Sequence, residues 1–562
     1  MKLVECAVVS DDASRPLLSG VPPLKSACLP FSQIPHTTRF FSDFLANHRD
    51  ALKFYPRPAN IKSWIKDEAT KVRYADDRRA QVAAVLERQN RSWGASPRTF
   101  ENLARLRSGA MALVTGQQVG LFGGPLFSVL KALTAVRLAD EATKAGVDCV
   151  PVFWLATEDH DVAEVNHVSL PDSGGTMRKF TVPPRGIADA PVGTLSFGEE
   201  IQQVVNEAAE LLGEGAVSEA LRQAYRPGEN FGSAFARLFT QIFAEWGVVL
   251  LDAGDAELHQ IAKPIYHAAA ERAGELDKRL LARGQALEAA GYHQQVKVTS
   301  LSTLLFYAGS GSRVVVHRRP NGDSSEFLLG AERVSQSDLL QRIEDAPQHF
   351  SANVLLRPVV QDYLLPTLAY AGGAAEVAYF AQAAVVYEAL LGRVTPAVPR
   401  FSATLIEPKP QTLLDKYGLR LPDLFHGPEK LGEQIAGRVL PSDLQAALGG
   451  AESALEKSLA EIQNALGGLD TTLVDSARVS ASKMRYQLGK IRTRAARAEL
   501  RRREVLGRHA ALLCRVLYPN HSLQEREVGG IYFLARAGPQ LLRDLYATID
   551  LDCLDHQLIW LS

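Results

Sequence analysis

The chain contains, at residues 110–125, the sequence Ala110-Met-Ala-Leu-Val-Thr115-Gly-Gln-Gln-Val-Gly120-Leu-Phe-Gly-Gly-Pro125. It begins with an apolar run of strand length, continues with closely spaced glycines, and is followed by a segment whose apolar residues recur at helical spacing. After Gly146 comes a second apolar run, Cys149-Val-Pro-Val-Phe-Trp-Leu155. Strand, glycine loop, helix and strand make a βαβ unit, which predicts a parallel sheet with a crossover helix.

Other segments extend this pattern to an α/β core. Apolar runs at 248–252, 353–357 and 383–387 predict further buried strands, the first of them after an amphipathic helix. More polar stretches, at about 170–200 and 300–330, predict short exposed strands in segments inserted into the core.

The region from about residue 442 to residue 518 has a different, helical composition. Leu455, Leu459, Ile462 and Leu466 have the spacing of a coiled-coil seam, and Gly467-Gly468 predicts the end of that helix. A second helix carries a similar seam, so an antiparallel helical hairpin is expected, with a plain packed helical pair as the alternative. The remaining residues, from 519, are expected to fold back on the core.

Composition limits the possible functions. The 562 residues carry 62 Lys and Arg against 63 Asp and Glu, which argues against a nucleic-acid or membrane binder. An Arg-rich stretch at 492–503 lacks interleaved aromatic residues and is interpreted as a solvated or salt-bridged helix face. No uncharged apolar run reaches the ~18 residues of a membrane-spanning helix.

The N-terminal sequence and the cysteines indicate the compartment. The apolar start of the chain is interrupted by Glu5 and lacks the core of a secretory signal, which predicts a cytoplasmic protein. The five cysteines are odd in number and widely separated, so free buried thiols are expected rather than disulfides. They are Cys6, Cys28, Cys149, Cys514 and Cys553.

Ligands of open parallel sheets bind beyond the carboxyl ends of the strands. The loop after the first predicted strand offers backbone N–H groups and a helix N-terminus to an anion, although glycines needed only for tight packing are the alternative. Its spacing matches neither the dinucleotide fingerprint nor a P-loop. The predicted binding residues here are Thr115, Gly116, Gln117, Gln118, Gly120 and Gly123.

A run of ionisable residues follows the second predicted strand. Glu158, Asp159, His160 and Asp161 are the candidate catalytic residues, and Asn166 is a candidate substrate contact. Such a run is costly at the end of a buried strand unless it is paired or used. A general base, a metal site, a pocket for a substrate amine and a solvated acidic loop all remain open, although no second His/Cys cluster completes a zinc site.

The predicted strand at 353–357 ends in an arginine, a natural fork for a carboxylate or phosphate. Further on, two glycines precede a predicted helix and repeat the device of the first loop. The candidate binding residues of this part are Arg357, Gln361, Gly372, Gly373, Glu376 and Tyr379.

These strand-end segments also resemble the signatures of a known family, the bacillithiol biosynthesis cysteine-adding enzymes (BshC). The resemblance rests on Thr115-Gly-Gln-Gln with Gly123-Gly-Pro, Pro151-Val-Phe-Trp-Leu-Ala-Thr-Glu-Asp-His-Asp161, Asn353-Val-Leu-Leu-Arg-Pro358, Gly372-Gly373 with Glu376-Val-Ala-Tyr379, and Tyr518-Pro-Asn with Leu523-Gln-Glu-Arg526. The motifs are short, but they occur in the family's order and span most of the chain.

The resemblance implies a fold and a reaction. The fold is a Rossmann-like parallel-sheet core with connective insertions and a coiled-coil hairpin through which two subunits pair. The reaction joins the carboxyl of cysteine to the glucosamine amine of glucosaminyl-malate, the last step of bacillithiol biosynthesis. ATP with Mg²⁺ is expected from chemical need alone, because the His-x-Gly-His and Lys-Met-Ser-Lys-Ser motifs of class I synthetases are absent, as is a zinc thiolate site.

Residue roles follow from combining the motifs with this reaction. The glycines hold an anionic group, Gln117 and Gln118 orient polar groups, one of residues 159–161 deprotonates the amine, and Arg357 pairs with a carboxylate. The alternatives are a non-catalytic sugar- or nucleotide-binding protein, a nucleotidylyltransferase-like enzyme acting on another amine, and a scaffold that works through its hairpin. The expected divisions of the chain are 1–169 (core, first half), 170–230 (insertion), 231–285 (core), 286–340 (second insertion), 341–410 (core, second half), 411–518 (hairpin) and 519–562 (C-terminal segment).

Overall fold

The computed structural model describes residues 23–299, 301–321 and 324–561, and in these residues the strands form four sheets. The N-terminal segment with Glu5 and Cys6, on which the prediction about a secretory signal rests, lies outside the described residues. The strands are β1 (Ser26–Leu29), β2 (Met111–Gln117), β3 (Cys149–Leu155), β4 (His167–Pro171), β5 (Met177–Thr181), β6 (Val249–Asp252), β7 (Ser302–Tyr307), β8 (Val314–Asn321), β9 (Ser324–Leu329), β10 (Glu332–Ser335), β11 (Phe350–Ala352), β12 (Thr367–Gly372), β13 (Ala397–Pro399), β14 (Ala403–Ile406) and β15 (His556–Trp560).

Helices cover both faces of the central sheet and form the C-terminal extension. They are α1 (Arg39–Leu45), α2 (Arg49–Leu52), α3 (Ile65–Ala69), α4 (Asp76–Ser92), α5 (Pro97–Arg107), α6 (Leu126–Lys144), α7 (Val162–Val165), α8 (Glu200–Leu212), α9 (Ala216–Ala224), α10 (Phe231–Ile242), α11 (Ala256–Glu271), α12 (Ala273–Ala289), α13 (Gln336–Asp345), α14 (Arg357–Leu364), α15 (Ala374–Leu391), α16 (Pro408–Tyr417), α17 (Pro428–Arg438), α18 (Ser442–Gly467), α19 (Thr471–Arg502), α20 (Glu504–Leu517), α21 (Gln524–Glu527), α22 (Gly530–Ala537) and α23 (Gln540–Thr548).

The central sheet has the strand order β13-β12-β2-β3-β6, and all its neighbours are parallel. The predicted βαβ unit is confirmed as β2, α6 and β3, whose apolar residues are buried. At the end of β2, Gly116 lies opposite Trp154 of β3, and a Cβ on Gly116 would come within 2.9 Å of the Trp154 backbone oxygen. Glycine is therefore required at that position for the two strands to pair closely.

Two of the strands predicted for the core are wrong. Residues 353–356 form a turn in which the Asn353 side chain accepts hydrogen bonds from Leu355 N (3.0 Å) and Leu356 N (3.1 Å), and α14 then begins at Arg357. Residues 383–387 lie in the middle of α15, a helix buried on nearly all sides. Short apolar runs do not distinguish a buried strand from a buried helix, and the strand that pairs with β2 is β12.

The inserted segments are partly as predicted. Residues 178–182 lie largely in β5, which pairs with β4, and residues 313–317 lie largely in β8 of an antiparallel sheet ordered β10-β9-β8-β7-β11. The strand predicted at 192–197 is wrong, since residues 192–194 form a short 3-10 helix instead.

The C-terminal extension contains the predicted antiparallel hairpin, formed by α18 and α19. Its arms are joined by ion pairs between Arg485 and Glu456 (2.6 Å) and between Arg492 and Glu452 (2.9 Å). The second of these comes from the Arg-rich stretch, which supports its interpretation as a salt-bridged helix face. Apolar side chains remain exposed along the hairpin, including Ile462.

A third sheet brings the two ends of the described chain together. Strand β15 lies between β1, to which it is antiparallel, and β14, to which it is parallel. The C-terminal segment therefore folds back on the core as predicted. The expectation that all cysteines are free is wrong, because Cys28 of β1 and Cys553 before β15 form a disulfide; Cys149 and Cys514 are free and buried.

One described helix, α15, is long and apolar enough to cross a membrane by length and composition. It packs against α12 and α14, and 61% of its residues are buried inside the protein. This burial is that of a core helix.

Candidate active site

A cavity of about 590 Å³ opens at the carboxyl ends of β2, β3 and β12. These three strands are neighbours in the sheet. The chain continues from β2 to β3 and β6 on one side, and the later strands β12 and β13 lie on the other side of β2. Parallel sheets bind ligands at such a point, where the strand order reverses. The cavity is therefore the candidate active site.

The residues after β3 supply the acidic side of the cavity. Asp159 and His160 both line it, and the backbone N–H of His160 donates to the Asp159 carboxylate (2.8 Å). Gln118 donates to the other oxygen of Asp159 (3.3 Å). Asp161 is exposed and caps α7 through the N–H of Glu164 (3.3 Å), so it lies outside the cavity lining.

Glu158 is the most deeply buried carboxyl of this run. Burial raises its pKa to about 8, and the opposing effect of Arg313 does not cancel that shift. Its Oε1 atom has no hydrogen-bond partner among the described residues. Glu158 therefore holds a proton at neutral pH and gives it up just above, which is the range in which a general base or acid works best.

An arginine from the inserted antiparallel sheet closes this side. Arg313 lies over the ring of Phe306 (3.8 Å to the centroid) and donates to Ser351 Oγ (3.0 Å). The Nη1 atom of its guanidinium lies 3.3 Å from His160 Nδ1 and 3.6 Å from the Asp159 carboxylate. The inserted segment thus contributes directly to the charge of the cavity.

A buried lysine connects the ends of two strands. Lys131 of α6 donates to the Gly116 carbonyl (2.8 Å) and to Gln117 Oε1 (2.8 Å), and it pairs with the Glu376 carboxylate (2.5 Å). Burial lowers the pKa of Lys131 to about 8, although Glu376 opposes that shift. The other oxygen of Glu376 accepts from Tyr370 (2.5 Å), so the network has no free acceptor on that carboxylate.

Arg357 has a different environment. Its guanidinium donates to Gln361 Oε1 (3.1 Å) and to the Tyr379 hydroxyl (2.9 Å), and it lies over the rings of Trp154 and Tyr370. Among the described residues no carboxylate lies within ion-pair distance of it. A partly buried cation with neutral partners is suited to receive an anionic ligand.

Two further arginines line the same part of the cavity. Arg400 follows β13 and is held by a bidentate ion pair with buried Glu525 (2.9 and 2.6 Å). Arg526, the next residue after Glu525, is exposed and makes no side-chain hydrogen bond or ion pair to any residue that the structure describes. Of the two, Arg526 is the one available to an anion.

The structure brings most of the predicted site residues into one cavity. The predicted residues that line it are Gly116, Gln117, Gln118, Glu158, Asp159, His160, Arg357, Gly373, Glu376 and Tyr379. Those that do not line it are Thr115, Gly120, Gly123, Asp161, Asn166, Gln361 and Gly372.

The residues outside the cavity have contacts of their own. Thr115 donates to the Ala371 carbonyl of β12 (2.8 Å), and Gln361 supports Arg357 from behind. Gly123 has a φ of +84°, and a Cβ on it would lie 3.2 Å from the ring of Phe239. The geometry at Gly123 therefore favours a glycine needed for tight packing over a glycine that binds an anion.

Five charged residues of the cavity, Lys131, Glu164, Arg313, Arg400 and Arg526, were not among the site residues predicted from the sequence. Lys131 could have been noticed as a charge within the apolar run of α6, and Arg526 stands in a quoted motif. Arg313 and Arg400 gave no such signal, because tertiary packing alone brings them to the site. Among the described residues no group of three or more His, Cys, Asp or Glu side chains is arranged to hold a metal ion.

A Rossmann-like parallel sheet with a charged cavity at its carboxyl edge defines an α/β protein with a small-molecule site. Two family models match the chain: "Bacillithiol biosynthesis BshC, N-terminal Rossmann-like domain" over residues 24–401, and "Bacillithiol biosynthesis BshC, C-terminal coiled-coil domain" over residues 403–561. The chain belongs to the BshC family of bacillithiol biosynthesis, and the resemblance inferred from its motifs is confirmed.

Several curated relatives carry the name "Putative cysteine ligase BshC". The one from Koribacter versatilis is 47% identical over 95% of this chain and 99% of its own length. The relative from Solibacter usitatus is 35% identical over the same shares, and that from Salinibacter ruber is 34% identical over 92% of this chain and 95% of its own. These names support a ligase of bacillithiol biosynthesis.

Proposed function

We propose that the protein joins the carboxyl of cysteine to the glucosamine amine of glucosaminyl-malate. The observation that carries this proposal is the pairing of two kinds of receptor in one cavity. Arg357, which has no carboxylate partner among the described residues, is suited to a carboxylate, and the carboxyls of Glu158 and Asp159 are suited to an amine. Amide formation between an acid and an amine needs both.

The basic side of the cavity would bind the acidic groups of the substrates. Arg357 presents a planar fork to a carboxylate, and Arg526 adds a second cation without a partner in the described part of the chain. Both substrates carry carboxylates, cysteine one and the malate part of the acceptor two. Binding them on this side leaves the reacting amine facing the residues after β3.

The acidic side would accept the proton that the amine loses. An amine attacks only as the free base, so a proton must leave nitrogen as the C–N bond forms. Asp159 is fixed by Gln118 and by the His160 backbone, with Arg313 and His160 beside it. That fixed position allows Asp159 to hold the ammonium form on arrival, while the neighbouring carboxyl of Glu158 takes its proton.

The Lys131 network would position these groups. It joins the end of β2 to the start of α15 through Gly116, Gln117 and Glu376, and its charges are matched within the network. A lysine with three acceptors is poorly placed to bind substrate as well. We assign it to holding the two strand ends at a fixed separation.

ATP with Mg²⁺ remains a proposal from chemical need. A carboxylate is unreactive toward amines, and ATP, when bound, would supply the activation. With Arg357 assigned to a carboxylate, the cation of the cavity that would remain for its phosphates, and that has no acidic partner in the described chain, is Arg526. We further propose a cytoplasmic homodimer that pairs through the α18–α19 hairpin, on which Ile462 is 50% exposed and Ile491 is 55% exposed.

The test is a mass-spectrometric assay of the purified protein with glucosaminyl-malate and cysteine, with and without ATP-Mg²⁺. Product only with ATP supports the ligase, and release of AMP or of ADP identifies which phosphate is attacked. Product without ATP would contradict the role of the nucleotide, and no product under either condition would contradict the proposed reaction. Arg357→Met serves as the matched variant, since it keeps an unbranched apolar stem and removes the guanidinium fork.

A further inference from the structure

A histidine lies directly behind the acidic side of the cavity. His259 stands in the first turn of α11, is 4% exposed, and does not line the cavity. Its Nε2 atom is 3.3 Å from Oε1 of Glu158. The ring of Tyr266, from the same helix, packs against the His259 ring, with 5.8 Å between the ring centroids.

Both members of this pair have an unsatisfied atom. Glu158 Oε1 and His259 Nδ1 are buried, and neither has a hydrogen-bond partner among the residues described. Nearly all buried polar atoms in folded proteins are paired, so two exceptions in neighbouring side chains call for an explanation. A contact whose hydrogen bond tightens when substrate enters is one that active sites commonly use.

The charged and titratable groups around the pair leave His259 as the nearest donor to Glu158 Oε1. The groups that act on the two side chains are Arg313 of the inserted sheet, Arg357 of α14, Asp159 after β3, Asp252 of β6, Asp255 before α11, and Tyr266. Asp252 is engaged by Thr157 and by the N–H of Gly254, and Asp255 caps α11. Arg313 is held by Ser351 and by the Ala352 carbonyl.

We propose that His259 is a positioning residue, which donates its Nε2–H to Glu158 and holds that carboxyl ready to take the proton of the substrate amine. The inference rests on the proposed ligase function. As the amide C–N bond forms, the proton leaves the amine nitrogen for Glu158, and the activating group leaves the acyl carbon with its electron pair. His259 keeps its own proton throughout.

The protonation states agree with this arrangement. Burial is the main cause that lowers the pKa of His259 to about 4, so the ring is neutral at physiological pH and carries one N–H. Glu158, with a pKa raised to about 8 by burial, is poised near the working pH. A hydrogen bond from a neutral ring favours the ionised carboxylate and therefore lowers the pKa of Glu158 relative to a site without it.

The first experiment compares His259→Phe and His259→Gln by the pH dependence of kcat for amide formation, which reports pKa values in the enzyme–substrate complex. Phenylalanine fills the space but cannot donate, so we expect the acid limb to move to higher pH by about one unit and the rate at pH 7 to fall roughly tenfold. The amide nitrogen of glutamine can occupy the position of Nε2, so in His259→Gln the acid limb of the pH–rate profile is expected to lie close to its wild-type position. A limb that is the same in wild type and His259→Phe would overturn the inference.

A second measurement does not depend on activity. Because the folded pKa of Glu158 is raised, folding is favoured by its protonated form, and the protein loses stability as pH rises from about 4.5 to about 8. We expect the unfolding midpoint to fall over pH 6.5–8 in wild type, to stay level in Glu158→Gln, and to fall at higher pH in His259→Phe. If the wild type makes no amide, the proposed function fails, while this pH series still decides whether His259 controls the proton on Glu158. Parallel plots of unfolding midpoint against pH for wild type and Glu158→Gln would refute that control.

Discussion

Two buried charged regions meet at Arg400, and they are built in opposite ways. Behind the cavity, the Glu525 carboxylate accepts hydrogen bonds from two nitrogens of Arg400, from the Ser402 hydroxyl (2.7 Å) and from the Ala403 N–H (3.1 Å). His556 is hydrogen-bonded to Ser402 and Thr404. In the cavity, Glu158 and Arg357 lack such partners.

The difference separates charges that hold the fold from charges that await a ligand. A buried ion pair persists when its remaining donors and acceptors are satisfied within the protein, as they are around Glu525. Burial would raise the pKa of Glu525, but Arg400 and Ser402 lower it to about 2. For Glu158 the same burial wins, because no partner of comparable strength is present.

Removing one partner from the satisfied region should give the largest effect. Glu525→Ala leaves Arg400 buried without its counter-charge, so we expect a loss of about 3–5 kcal/mol in stability, measured as a lower midpoint of chemical unfolding. The double variant Arg400→Met/Glu525→Leu removes both charges and is expected to lose much less. Equal losses in the two variants would show that packing, and not the unpaired charge, determines the effect.

Removing a charge from the cavity should affect the reaction and leave the fold intact. We expect Asp159→Asn to lower kcat by about 10²–10⁴, because the fixed carboxylate that holds the amine beside its proton acceptor is lost, with an unchanged unfolding midpoint. Asp161→Asn is the comparison, since asparagine can also cap α7 and the side chain lies outside the cavity. Equal losses of kcat in the two variants would contradict the assignment of Asp159 to the cavity and of Asp161 to capping α7.

Arg357 tests the anion-binding side. We expect Arg357→Met to raise KM for the substrate whose carboxylate it binds by roughly 10–100-fold, since a charge-assisted hydrogen bond contributes about 1.5–3 kcal/mol. The companion variant Arg526→Met should have a smaller effect, because that side chain is exposed and screened. KM values for cysteine and for glucosaminyl-malate, measured separately, assign the carboxylate.

The two regions should also respond to pH with opposite signs. Glu525 and His556 have lowered pKa values, about 2 and about 4, so their contributions to stability are lost as pH falls, between about 4.5 and 2 and between about 6.5 and 4. Glu158 acts in the other direction between about 4.5 and 8. In Glu158→Gln the alkaline decline of the unfolding midpoint should disappear and the acid decline should remain.

The smallest effect is expected at the surface of the hairpin. Arg485 and Glu456 form a well-aligned pair, but both are about half exposed and solvent screens their interaction. Arg485→Ala should leave the unfolding midpoint unchanged within error. Ile491→Asp is the sharper variant there, because a charge on an exposed apolar position should weaken the proposed dimer, as measured by sedimentation.

The fold was predictable from the sequence where the hydrophobic periodicity and the positions of the glycines indicate the same elements. The run from β2 through the glycine loop to β3 has apolar strands, glycines and helical spacing in the right places, and it was predicted correctly. The runs at 353–357 and 383–387 have hydrophobicity alone, which fits a buried helix equally well, and both predictions were wrong. The Cys28–Cys553 disulfide joins residues 525 positions apart, a contact that spacing cannot reveal.

The site was predictable where it follows a strand. Glu158, Asp159, His160 and Gly373 were located because parallel strands end at one edge of the sheet. Arg313 and His259 reach the site from an inserted sheet and from a helix, and nothing in their local sequence indicates that position. Arg357 lines the cavity, although the strand inferred before it is a turn.

The Arg400–Glu525 pair also determines when during protein synthesis the cavity can be completed. Arg400 is made 125 residues before its partner, and β1 waits for β15, which is made after the hairpin. At typical translation rates of about 5–20 residues per second, a chain that already contains β2, β3 and β12 therefore spends at least several seconds with a buried arginine unpaired. A nascent chain stalled in the hairpin has every strand of the central sheet but lacks Glu525 and Arg526, so the wall of the cavity is completed only after the hairpin has been made.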